Sequence, residues 1–83
     1  MTRHAAVIGA GAWGTALAGV LAEAGSRVRL WAYEAEVAEA VETKRENTVY
    51  LPGVAVPEGV SASTDLAWAV AGADVVVSVS PSQ

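Results

Sequence analysis

The sequence predicts an α/β fold on a parallel sheet, the first half of a doubly wound architecture, from three observations. Short apolar runs alternate with stretches of helical period, in the order strand, helix, strand, helix, short strand, helix, strand. The apolar runs are nearly continuous, as in strands covered on both faces. A glycine cluster from Gly9 to Gly14 falls where the first strand gives way to the first helix. Right-handed crossovers then lay the strands side by side in one direction.

Ala5-Ala6-Val7-Ile8 reads as the first strand, buried on both faces and closed by a tight glycine turn. From Trp13 the period changes. Trp13, Ala16, Leu17, Val20, Leu21 and Ala24 follow the spacing of one apolar helix face, and Gly25 supplies the stop. Val28 to Trp31 resumes strand character. Ala35 to Arg45 reads as a second helix with Val37, Ala40 and Val41 inward and Glu36, Glu39 and Glu42 outward. Its acidic start and Lys44-Arg45 end both suit the helix dipole. Asn47 to Gly59, holding Pro52 and Pro57, reads as an irregular connection. Val60 to Ser63 predicts a short third strand, and Thr64 or Asp65 caps a helix from Leu66 to Ala71 ended by Gly72. Val75 to Val79 is a β-branched run too continuous for an exposed edge, stopped by Pro81.

Composition narrows the function. With 83 residues the chain holds one small domain, which buries only about 60 % of its unfolded surface and is expected to be weakly stable alone. Cys is absent and His4 is the single histidine, in a stretch expected to fray, so a zinc or haem site has no support. A 53 % apolar content with 17 % charged residues argues against disorder. Eighteen Ala and fourteen Val supply most of that apolar content, and thin side chains let helices lie close on a sheet. A net charge of −4 without a basic cluster disfavours nucleic acid as a partner, although a small phosphate group remains compatible. Thr2-Arg3-His4 before the apolar stretch Ala5 to Leu21, then Ala22-Glu23-Ala24, resembles an export signal. Glycines at 9, 11 and 14 interrupt it, so no membrane insertion and a cytoplasmic location are expected.

Gly9-Ala10-Gly11-Ala12-Trp13-Gly14 fits G-x-G-x-x-G after a predicted strand and at the start of a predicted helix, the context that motif needs. Gly9 permits the tight turn, Gly11 lets backbone approach a pyrophosphate, and Gly14 lets the helix pack closely. The first-turn amides would face the phosphates with the helix dipole behind them. Glycines that merely make a tight connection are the plainer alternative. An acidic residue about 20 positions on meets the adenosine ribose in such folds, and Glu34 lies there. A solvated residue at the start of the second helix explains Glu34 equally well.

The finer pattern resembles the NAD(P)-dependent glycerol-3-phosphate dehydrogenases, a family with a Rossmann-type domain. Val7 to Ala18, with Trp13 before the last glycine and Thr15-Ala16-Leu17-Ala18 after it, is similar to that family's opening. Leu30-Trp31-Ala32, Arg45-Glu46-Asn47, Tyr50-Leu51-Pro52-Gly53, Thr64-Asp65-Leu66 and Ala73-Asp74-Val75 follow in the family's order. The resemblance spans almost the whole chain and goes beyond a generic nucleotide-binding turn.

It implies hydride transfer between a nicotinamide cofactor, NAD or NADP, and sn-glycerol 3-phosphate or dihydroxyacetone phosphate, serving phospholipid biosynthesis. Carried over by position, Gly9, Ala10, Gly11, Ala12, Trp13 and Gly14 would hold or line the pyrophosphate turn, with Tyr33 and Glu34 beside the adenosine and Tyr50 near the cofactor. Trp13 could equally be the first core residue of its helix, and Tyr50 an aromatic plug tethering a loop to the sheet. Many relatives carry basic residues where this chain has Tyr33 and Glu34; a carboxylate there would repel a 2′-phosphate, favouring NAD. Ser80 replaces a usual Val, with a local effect expected.

No catalytic residue is assigned. Lys44, the single lysine, ends a predicted surface helix. In the family, catalytic and phosphate-gripping groups come from later segments and a helical C-terminal domain. The chain is therefore expected to be an N-terminal piece, residues 1–83 of a cofactor-binding domain, silent alone; its small-molecule phosphate substrate would be held mainly elsewhere, and a homo-oligomer is compatible with the complete enzyme. Another dehydrogenase of the same architecture, a nucleotide-sensing module and a purely structural domain are the competing readings.

Overall fold

The computed structural model describes residues 3–79. The elements run β1 (His4–Ile8), α1 (Ala12–Glu23), β2 (Arg27–Trp31), α2 (Ala35–Lys44), β3 (Glu46–Asn47), β4 (Leu51–Ala55), β5 (Val60–Ser63), α3 (Leu66–Val70) and β6 (Val75–Ser78). Four strands form one parallel sheet in the order β5-β2-β1-β6. The expected α/β sheet is present, and β6 lies beside β1 as the doubly wound order requires.

The chain steps from β1 outward to β2 and β5, then crosses back to place β6 on the other flank of β1. Right-handed connections running in opposite directions put their helices on opposite faces of the sheet. The reversal creates a crevice at the carboxyl ends of β1 and β6. Strand register sets its floor: Ile8 is level with Trp31 and with Ser78, and Trp31 with Ser63.

The core is made of small side chains. Val7, Val28, Leu30, Val37, Val41 and Val60 are fully buried, and Leu30 is the largest apolar residue among them. Helix α2 meets its expected orientation, with Val37, Ala40 and Val41 inward and Glu36, Glu39 and Glu42 outward. Arg45 ends it in the left-handed region, φ 53°, rather than as a helical residue. Asp65 caps α3 by accepting the Trp68 amide at 3.2 Å.

Four expectations need correction. Helix α1 buries Gly14, Thr15 and Ala18 instead of the stripe that begins at Trp13; Trp13 and Val20 are exposed. The buried face is displaced by one residue because close contact at Gly14 decides the rotation, and Leu21 and Ala22 complete it. The Asn47 to Gly59 segment is not wholly irregular, since β3 and β4 pair antiparallel with a register shift at Glu46 and Asn47. His4 is not frayed: it opens β1, donates its amide to Asp74 Oδ2 at 2.9 Å and accepts the Asp74 amide at 2.7 Å. Finally, β6 stands at the edge of the described sheet, with Val75 and Val76 exposed. The export-like stretch is divided between β1 and α1, and no described helix is long and apolar enough to cross a membrane. Ser80 and Pro81 lie outside the described residues.

Candidate functional site

The glycine turn is built by two contacts that exclude a Cβ and one position that does not. Gly9 has φ +119°, and a Cβ there would stand 2.5 Å from the Val79 carbonyl oxygen at the end of β6. A Cβ on Gly14 would overlap the Gly9 carbonyl oxygen, so the first turn of α1 sits directly on the turn preceding it. Gly11 differs. Its φ is an ordinary −75°, and nothing lies within 4 Å of where its Cβ would be. Neither strain nor packing explains glycine there; open space above the backbone does.

Gly11 is also the N-cap of α1 and brings no side chain to cap it. The first backbone bond of the helix runs from the Thr15 amide to the Gly11 carbonyl at 3.0 Å. The amides of Ala12, Trp13 and Gly14 therefore have no intrahelical acceptor, and with the helix dipole they favour an anion at this end.

A cleft of about 650 Å³ opens over the turn, lined by all nine expected residues: Gly9, Ala10, Gly11, Ala12, Trp13, Gly14, Tyr33, Glu34 and Tyr50. Its remaining walls come from the carboxyl ends of β1, β2 and β6, including Ile8, Trp31 and Val79, and from Val37 of α2. Trp13 is 80 % exposed, which removes the reading of it as a core residue. Tyr33 is likewise exposed, its ring edge-on to Trp31 with centroids 6.1 Å apart.

Glu34 and Tyr50 meet in the cleft wall. Glu34 is the N-cap of α2, yet its side chain makes no capping bond; instead its Oε1 accepts from the Tyr50 hydroxyl at 2.5 Å. Tyr50 is exposed rather than a buried plug, and it tethers its loop to the start of α2, not to the sheet core. The hydrogen bond to Glu34 raises the Tyr50 phenol above the usual tyrosine value, helped by desolvation and the negative charges of Glu34 and Glu36. Lys44 ends α2 and does not line the cleft.

Residue-level reading missed one participant. Asn47 is fully buried and bonds both the glycine turn and the Tyr50 loop. Its place in the Arg45-Glu46-Asn47 run was the available signal, but nothing local shows which partners an asparagine will meet 37 positions away.

A cleft lined by an anion-seeking helix end, with open space over Gly11 and the Glu34 carboxylate in its wall, suits a dinucleotide. The comparisons agree. Glycerol-3-phosphate dehydrogenase [NAD(P)+] from Corynebacterium aurimucosum is 54% identical over 80 residues, covering 96% of this chain and 24% of its own length. The protein of that description from Streptomyces griseus is 56% identical over 79 residues, 95% of this chain and 24% of its own length. The crystal structure of glycerol-3-phosphate dehydrogenase from Coxiella burnetii superposes with a TM-score of 0.85 at 39% identity, over 93% of this chain and 24% of that one. The chain thus spans about a quarter of the length of these relatives. The family model for the NAD-dependent glycerol-3-phosphate dehydrogenase N-terminus matches residues 4–83, and the chain belongs to that family.

Proposed function

We propose that this chain is the first part of the NAD(P)-binding domain of a glycerol-3-phosphate dehydrogenase, which interconverts sn-glycerol 3-phosphate and dihydroxyacetone phosphate. The observation that carries this is Gly11, where unstrained backbone leaves open space at the head of a helix, above amides without acceptors. A bound nicotinamide dinucleotide supplies the hydride donor and acceptor. The residues of this chain would bind and orient it: the amides of Ala12, Trp13 and Gly14 would hold the pyrophosphate and Glu34 and Tyr50 the ribose, while Ile8 and Val79 line the cleft beside Gly9.

Catalytic groups and the grip on the substrate phosphate belong to residues beyond these, as the quarter-length coverage of relatives supports. A cytoplasmic enzyme in phospholipid precursor supply fits this reading, and a homo-oligomer is compatible with it. Glu34 favours NAD over NADP, because a carboxylate at the ribose repels a 2′-phosphate.

The test is an assay of the complete protein for dihydroxyacetone-phosphate-dependent oxidation of NADH and NADPH. Turnover is expected, with NADH preferred; no turnover with either rejects the proposal. Equal affinity for both cofactors in a binding titration removes the Glu34 assignment alone.

A further inference from the structure

Asn47 and Thr15 are the buried polar side chains among the described residues, and they touch each other. Asn47 Nδ2 donates to the Ala10 carbonyl and to Thr15 Oγ1, each at 2.8 Å. Its Oδ1 accepts the amides of Val49 at 3.2 Å and Tyr50 at 3.0 Å. All four hydrogen-bonding positions of the carboxamide are filled. The partners also settle its orientation, since a flipped amide would set N–H against N–H and oxygen against oxygen.

The two ends of this side chain hold two walls of the cleft. The Ala10 carbonyl shares one planar trans peptide with the Gly11 amide, and the two bonds point in opposite directions. Gly11 lines the cleft while Asn47 lies outside it. Holding the carbonyl toward Asn47 therefore holds the Gly11 N–H away from it, on the side where a phosphate would sit. At its other end Asn47 fixes the backbone of Tyr50, whose hydroxyl reaches Glu34.

We propose that Asn47 is a positioning residue for the dinucleotide: it sets the Ala10-Gly11 peptide for the phosphates and Tyr50 for the ribose end, so both are presented at once. This rests on the dinucleotide reading above. Asn47 reaches neither cofactor nor substrate itself. Aspartate would keep the acceptor for the Tyr50 loop but face the Ala10 carbonyl with a buried charge. Serine would be neutral but too short to serve both ends.

The experiment uses the complete protein, with NADH as the probe. Asn47→Asp and Asn47→Ser are compared with Thr15→Val, which damages the same buried network but leaves the bonds to Ala10 and Tyr50. In either Asn47 variant the dissociation constant and KM for NADH are expected to rise about tenfold or more, with kcat at saturating NADH within about threefold of the parent. Thr15→Val should lower the melting temperature yet keep NADH affinity within about threefold. Equal loss of affinity in Thr15→Val and the Asn47 variants would overturn the proposal, as would unchanged affinity in folded Asn47 variants. Failure of both Asn47 variants to fold would make it a folding residue and overturn it likewise. A parent protein that binds no NADH would instead reject the dinucleotide reading.

Discussion

Gly11 and Gly14 stand three residues apart and constrain the chain for opposite reasons. A Cβ on Gly14 meets the Gly9 carbonyl, which is backbone and cannot swing aside, whereas a Cβ on Gly11 meets nothing. Gly14→Ala should therefore destabilise the fold by about 3 kcal/mol, an overpacking cost read by urea denaturation of the complete protein. Gly11→Val should change stability by no more than about 1 kcal/mol while weakening NADH binding about tenfold or more, because it fills the space kept for phosphate. Similar stability losses for both would remove the functional explanation of Gly11. Tyr50 carries a second prediction. Its phenol is raised chiefly by the hydrogen bond to Glu34, so the protonated form is favoured in the folded state. The contribution of that tether is complete below the unfolded tyrosine value of about 10 and is lost as pH rises through the higher folded value. In a tyrosinate absorbance titration, Glu34→Gln should bring the Tyr50 midpoint down toward the ordinary value. An unmoved midpoint would mean that the carboxylate is not its cause.

At the scale of elements, the strands and helices were legible because the period of the apolar residues changes from continuous to helical at Trp13 and again at Val28. The glycine turn was legible because its spacing carries a mechanism. The rotation of α1 was not, since hydropathy favours the face bearing Trp13 and Val20 while packing favours the face with the smallest side chains, Gly14 and Ala18. The β3–β4 ribbon was hidden for a related reason: Pro52 and Gly53 read as breakers, yet this two-stranded edge tolerates them. Arg45 ties the end of α2 to the segment that joins β4 to β5. Its guanidinium donates to the carbonyls of Pro57 and Val60, the latter at 2.7 Å, while its backbone occupies the left-handed region that closes the helix. Both variants at this position lose the clasp, but glycine escapes the backbone penalty. Arg45→Ala should cost about 2 kcal/mol, and Arg45→Gly should be more stable than it by about 1 kcal/mol, measured by chemical denaturation. The reverse ranking would show that the left-handed backbone carries no penalty there.

For the molecule as a whole, the sheet has two edges and they are treated differently. β5 is packed by α2, with its Ala62 amide donating to Glu42 Oε2 at 2.9 Å, and Val60 and Ala62 are buried. β6 pairs with β1 on one side, and within the described residues its other side is bare, with Val75 and Val76 exposed. A run of three valines in that position is the sequence of an interior strand, which is why it reads as covered on both faces. An uncharged β-branched edge is also a template for strand pairing between molecules. The isolated 83-residue chain should therefore self-associate in the micromolar to millimolar range, about where such edges become aggregation-prone. Val76 is 53 % exposed and pairs in register with Ala6, so a lysine there adds charge at the edge without entering the nucleotide cleft. Sedimentation velocity should show Val76→Lys shifting the isolated chain toward monomer, whereas Val20→Lys, on the exposed face of α1, should leave association unchanged. Equal effects from the two substitutions would mean that net charge, rather than the β6 edge, governs association.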